Sequence, residues 1–241
     1  MEVDRADGRT PYQLRPLACS RNLLNRAHGS ARWSQGDTIV LAAVYGPKAG
    51  TKKNENPEKA SIEVVWKPKT GQIGKAEREY EMILRRTLLS ICHLTINPNT
   101  TTSVILQVVN DDGALLPCAV NAACAALVDA GIPLKHLAVS ICCGVSETGS
   151  LVLDPTKVEE QVSIISQLDS LQSPHNFLFA THVELLKDEL EPQILCSLFH
   201  TLWGFLDTPD PLFSDPNSAL YYGDSPSPKI TFILYHNAST C

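Results

Sequence analysis

A chain of 241 residues with 44% hydrophobic and 19% charged residues is long enough to bury a core of ordinary size, which excludes disorder throughout. Its apolar runs are broken well short of the roughly 20 residues that span a bilayer, and residues 1–10 are charged, so neither a membrane span nor a signal peptide is expected. The net charge of −6 is unevenly spread: after Val162 acids far outnumber Lys187 and Lys229, while every arginine lies at or before Arg86, so local basic patches must carry any attraction for a polyanion. The eight cysteines include no C-x-x-C pair; a zinc knuckle is unsupported, and reduced thiols packed as small hydrophobes are expected.

Taken in order, Leu17 to Ser20, Ser30 to Gln35 and Asp37 to Tyr45 read as strands of an antiparallel meander, with a turn at His28-Gly29. Gly46 to Lys59 carries turn residues without an apolar period and is expected to be an exposed loop. Ser61 to Trp66 resumes as a strand. Lys75 to Cys92 then shows a helical period, with Tyr80, Ile83, Leu84, Leu88 and Ile91 as the core-facing stripe. Lys75, Arg78, Arg85 and Arg86 gather on the opposite side of that wheel. A charged outer face is ordinarily just solvated, yet clustered guanidinium groups also suit bidentate contact with phosphates.

Thr102 to Val109 is an apolar strand. It runs into the turn Asn110-Asp111-Asp112-Gly113 and an alanine-rich helix opening at Ala114 and stopping near Gly131. Val120, Ala123, Cys124, Leu127 and Val128 form its expected buried face, and the unpaired amides at its start can receive an anion such as phosphate. Leu137 to Val145 and Ser150 to Leu153 read as a hairpin pair. Thr156-Lys157-Val158-Glu159 has the form of a capping box, which gives Glu159 a structural task. Glu160 has no such task, and with Asp154 it brings two carboxylates toward one point, as a general base or a divalent metal requires; the plainer alternative is that both complement a helix dipole. Beyond Val162 the texture changes. Leu185 to Phe205 reads as a helix interrupted at Pro192, Asp207 to Pro228 is studded with Pro, Asp and Ser, and Ile230 to Tyr235 is strand-like but isolated.

Several of these stretches together resemble the ribonuclease PH family: Arg15-Pro16, Gly29-Ser30, Gly36 to Leu41, the helix carrying Arg86, Val108 to Gly113, Asn121 to Gly131, and Leu151 to Pro155. The resemblance covers Arg15 to about Gln161. It implies a two-layer α/β (α+β) fold of the ribosomal S5 domain 2-like kind, a family domain over residues 1–161, and an atypical segment over 162–241. It further implies an RNA-binding subunit of the RNA exosome core. Such a subunit takes part in 3′-to-5′ RNA processing and turnover in nucleolus, nucleus and cytoplasm, in a six-membered ring with other ribonuclease PH-like subunits or as a homodimer.

Departures from the family pattern bear on activity. Active members carry a Gly-Thr-Arg run after the Asp-Gly turn to hold the attacking phosphate; here Gly113 is followed by Ala114, Leu115 and Leu116, so the phosphate site is degenerate. The second family Asp after Asp154 is replaced by Thr156, with Glu160 nearby. The first reading is therefore a non-catalytic or weakly active subunit that contacts RNA, or DNA, through Lys75, Arg78, Arg85 and Arg86. The alternative is an active nuclease with Asp154 and Glu160 as catalytic or metal-binding residues, using inorganic phosphate, or Mg²⁺ or Mn²⁺ for hydrolysis. A third is an inactive splice isoform.

Overall fold

The computed structural model describes residues 5, 7–49, 57–145, 151–162 and 230–236. β1 (Leu17–Arg21), β2 (Gly29–Gln35) and β3 (Thr38–Ala49) form the expected antiparallel meander. β4 (Ser61–Lys67), α1 (Lys75–Ile91) and β5 (Thr100–Asn110) complete the first sheet, whose order is β1-β2-β3-β5-β4. β5 runs antiparallel to β3, whereas β4 and β5 are parallel. Parallel neighbours cannot be joined by a hairpin, so a helix must cross over between them, and α1 does so. One expectation is corrected here. Residues 46–49 were read as loop but continue β3, because an irregularity after Tyr45 re-registers the ladder and sets Lys48 opposite Thr101 and Ala49 opposite Thr100. Of the remaining expected loop, 57–59 are exposed bends and 50–56 lie outside the described residues.

Alternation along the strands decides which face is covered. Ala31, Trp33, Val40, Ala42, Val44, Val104 and Leu106 are fully buried against the helices. The α1 stripe behaves as read: Ile83, Leu84, Leu88 and Ile91 are buried, and Tyr80 is half-buried with its ring 5.2 Å from that of Trp66. In α2 (Leu115–Asp129) the expectation of one buried face is too narrow. Every residue from Leu116 to Leu127 is buried, because α2 packs between β2 and β3 of the first sheet and β6 of a second. That sheet consists of β6 (Leu137–Val145), β7 (Leu151–Leu153) and β8 (Ile230–His236), in the order β7-β6-β8.

β6 and β7 make the expected antiparallel pair. β8, read as isolated, instead pairs parallel to β6 from Leu137 opposite Ile230 to Cys143 opposite His236. The C-terminal segment thus returns at least one strand to the fold. Its expected interrupted helix at 185–205 lies outside the described residues. Among the described residues no helix is long and apolar enough to cross a membrane.

Two contacts fix α2 between the sheets. Asn121, fully buried, donates from Nδ2 to the Ser140 carbonyl at 2.9 Å and accepts the Ser140 N–H at 2.8 Å, so a polar side chain locks helix to β6 with both amide groups satisfied. On the other side, β2 begins almost in contact with the helix end: a Cβ placed on Gly29 would lie 2.2 Å from the Ala130 nitrogen and 2.6 Å from the Ala126 carbonyl oxygen. Only glycine admits that approach.

The polar leader, residues 5–15, is also tied down. Arg5 forks onto Glu159 of α3 (Lys157–Val162), with Nε to Oε1 at 2.9 Å and Nη2 to Oε2 at 2.7 Å, and donates to the carbonyls of Leu153 and Asp154. Glu159 also closes the predicted capping box: its carboxylate accepts the Thr156 N–H at 2.8 Å, while its own N–H reaches Thr156 Oγ1 at 3.4 Å. Burial pushes the Glu159 carboxyl up, but Arg5 and the Thr156 amide outweigh it and hold the group below its ordinary value.

Two outcomes follow from this packing. Gly29→Ala forces backbone apart at the α2 end and lowers stability by about 3 kcal/mol, read from the urea midpoint of unfolding. A carboxyl whose pKa is depressed on folding contributes stability above its unfolded value and loses it as pH falls through the folded one. Amide exchange in residues 7–15, corrected for intrinsic rates, therefore accelerates below the usual carboxylate range, and Glu159→Gln shows the same acceleration at neutral pH.

Candidate functional site

Lys75, Arg78, Arg85 and Arg86 are all exposed along α1, and none makes a hydrogen bond or ion pair with another described residue. Lys75 is the first residue of the helix, whose opening turn is secured by Glu77 accepting the Gly74 N–H at 2.8 Å. Met82 is exposed among the guanidinium groups. This side of α1 is a basic strip with an apolar centre, free to meet a polyanion. The four residues read from the helical wheel are brought together as expected.

The turn between β5 and α2 has a different character. Gly113 takes φ +85, and a Cβ there would lie 2.7 Å from the Lys157 nitrogen and the Pro155 carbonyl, so the turn is pressed directly onto the start of α3. Ala114 follows in the left-handed region at φ 50. Its N–H, at the mouth of α2, donates to Glu160 Oε1 at 2.7 Å. The seat that an external anion takes at such a helix start is filled by the chain's own carboxylate. Leu115 and Leu116 beside it offer neither charge nor donor side chain. Burial pushes the Glu160 carboxyl up, and nearby Asp111 adds to that against the opposing pull of the Ala114 amide, Arg15 and Lys157. Lys157 itself pairs with Asp111 at 2.6 Å.

Asp154, expected to share catalytic or metal-binding work with Glu160, is occupied otherwise. It is fully buried, and Arg15 grips it bidentately, Nη2 to Oδ1 at 2.6 Å and Nε to Oδ2 at 3.0 Å, while the Arg15 N–H donates to Oδ2 at 2.9 Å. Arg9 Nη1 adds a contact at 3.6 Å. The charge of this carboxylate is thus matched by the guanidinium that grips it. Among the described residues no three His, Cys, Asp or Glu side chains converge as metal ligands. Asp154 and Glu160 are thus each engaged by donors of the chain itself, Asp154 by Arg15 and Glu160 by the Ala114 amide.

Arg15 reaches further. Its Nη1 donates to the Asp112 carbonyl at 2.6 Å and its Nη2 to the Gly113 carbonyl at 3.3 Å. The leader, the β5–α2 turn and the β7–α3 link thus meet on one guanidinium. Sequence reading missed this role for Arg15, and with it the anchoring roles of Arg5 and Arg9. The only signal was compositional: three arginines in the leader face three acids, Asp154, Glu159 and Glu160, more than a hundred residues later. Tyr80, read as part of the core stripe, has its phenol pushed up to about 12, by burial first and by the charges of Glu160 and Asp111 after it.

A family model described as the 3′ exoribonuclease family, domain 1 (RNase PH), matches residues 13–133. The Arabidopsis thaliana protein named exosome complex exonuclease RRP46 homolog is 79% identical over 161 residues, covering 67% of this chain and 67% of that protein. The Arabidopsis thaliana exosome complex component RRP41 homolog is 30% identical over 184 residues, covering 69% of this chain and 76% of the other. The crystal structure of rice (Oryza sativa) Rrp46 superposes with a TM-score of 0.63 at 77% identity, over 65% of this chain and 74% of that one. The fold is accordingly similar to that of rice Rrp46, and the chain belongs to the RNase PH family.

Proposed function

We propose that this chain is a subunit of an RNA exosome core, assembled with other RNase PH-type subunits in a six-membered ring, and that it guides RNA during 3′-to-5′ processing. The names of its relatives, exosome complex exonuclease RRP46 homolog and exosome complex component RRP41 homolog, support the assembly. The single observation that carries the RNA-guiding part is the exposed, unpaired strip of Lys75, Arg78, Arg85 and Arg86 on α1. Guanidinium and ammonium groups so placed hold a phosphate backbone without reading base edges, so binding is independent of sequence and sensitive to salt.

Phosphorolysis is disfavoured at the site itself. With Leu116 where active members carry arginine, and with Glu160 seated on the Ala114 amide, an incoming phosphate loses one charged contact and meets a negative charge instead. Loss of a bidentate charged contact lowers rate by a factor on the order of 10² to 10³. A second reading rests on Glu160. A partly buried carboxyl whose pKa is raised beside Lys157 and Asp111 has the proton affinity of a general acid or base, which suits a nuclease.

The full chain incubated with 3′-tailed RNA, with inorganic phosphate or with Mg²⁺ or Mn²⁺, separates these readings. The guiding role predicts no nucleoside diphosphates with phosphate and no monophosphates with metal; monophosphates that vanish in Glu160→Gln would establish the nuclease instead. Lys75→Glu weakens RNA binding by about tenfold at low salt and lowers the slope of log K against log salt by about 1 to 2, measured by anisotropy across a salt series.

A further inference from the structure

The loop that leads from β4 into α1 is exposed along most of its length, and a Cβ on Gly71, at φ +88, would meet nothing within 4 Å, so its crest stands clear of the body. Its first half is nevertheless pinned by two side chains from the end of β5. Gln107 Nε2 donates to the Pro68 carbonyl at 3.2 Å. Asn110 Nδ2 donates to the Asp37 carbonyl at 2.7 Å, and its Oδ1 accepts the Lys69 ammonium at 2.9 Å. A carbonyl can only accept and an ammonium can only donate, so these two neighbours fix which way the Asn110 amide faces. Lys69 is exposed, yet its charged end has a set place.

The chemistry of the partner decides what that place is good for. Lys157 is held by Asp111, Arg15 by Asp154 and Arg5 by Glu159, pairs in which opposite charges cancel. An amide holds an ammonium without cancelling it: one of three N–H donors is spent on Asn110, and the whole positive charge remains for a group outside the chain. A free lysine loses rotamer entropy when it grips a ligand, whereas one already held in position loses less. Lys69 also continues the basic strip. α1 starts where β4 ends, so Lys75, its first residue, lies at the same end of the sheet as Lys69 and the last residue of β5. We propose that the RNA track does not stop at Lys75 but turns over the β4–α1 loop, where Lys69, presented by Asn110, grips a further phosphate. Lys69 is the contact and Asn110 a positioning residue. The assignment rests on α1 being the RNA contact.

The test uses the full chain and a single-stranded RNA of about ten nucleotides, with binding followed by anisotropy across a salt series. Lys69→Ala weakens binding by about fivefold at low salt and lowers the slope of log K against log salt by about 1, as loss of one phosphate contact does. Arg32→Ala removes an equal charge from the opposite face of the same sheet, since Ala31 and Trp33 on either side of it are buried beneath the helices, and it leaves affinity and slope unchanged. Asn110→Ala weakens binding by about threefold alone and by nothing further in the Lys69→Ala background, because it acts only through the ammonium. Unchanged binding in Lys69→Ala while Lys75→Glu still weakens it, or an equal loss in Arg32→Ala, overturns the assignment and leaves α1 as the RNA contact. A double-variant loss equal to the product of the two single losses overturns the positioning role of Asn110. Lys75→Glu without effect overturns the reading of α1 and this assignment with it.

Discussion

The geometry around α2 depends on the ion pair between Arg15 and Asp154. Both groups are withdrawn from water, and three hydrogen bonds from 2.6 to 3.0 Å reach the carboxylate, at least one on each oxygen. Burying two charges is costly, and the pair itself adds little net stability. Removing one partner is another matter: it strands the other charge in the interior at a cost of about 3 to 5 kcal/mol. The pair is therefore a registration device. The same guanidinium holds the carbonyls of Asp112 and Gly113, so it sets the turn at the mouth of α2 against the link that leads into α3. The meeting of Ala114 with Glu160 is a downstream consequence, since those two residues sit at the ends of the segments that Arg15 brings together.

A second constraint is the thinness of α2. A helix buried on every side must present small residues to two sheets at once, and the run Ala122, Ala123, Cys124, Ala125, Ala126 does so. Such a helix gains little from large apolar side chains and relies instead on close approach, which is why Gly29 nearly touches its last turn and why Asn121 is spent on β6. Packing this tight transmits position without slack. The amide at the start of α2 is placed by the sheets as firmly as by its own turn.

Most of the first sheet was legible in the sequence, because strands with one covered face alternate: Trp33, Val40, Ala42, Val104 and Leu106 recur at even spacing. The α1 helix was legible for the corresponding reason, a 3.6-residue stripe opposite a charged side. All-round burial of α2 was not, since the periodicity that marks a single buried face fades when every face is buried. The pairing of β8 with β6 was equally hidden: a seven-residue strand does not announce a partner lying some ninety positions away. At the site, the basic strip was readable because it is local to one helix. The partners of Asp154 were not, because Arg5, Arg9 and Arg15 reach it across more than 130 residues, and an acid near a helix start looks the same in sequence whether it is free or gripped.

The arrangement also decides which cations of a chain with net charge −6 are left unpaired. Leader arginines are consumed by Asp154 and Glu159, and Lys157 by Asp111, so these cations add nothing to the outer field. Those on α1 make no hydrogen bond or ion pair with another described residue, although Glu77, Glu79 and Glu81 share their helix. At the mouth of α2 the acids are likewise engaged, Asp111 by Lys157 and Glu160 by the Ala114 amide.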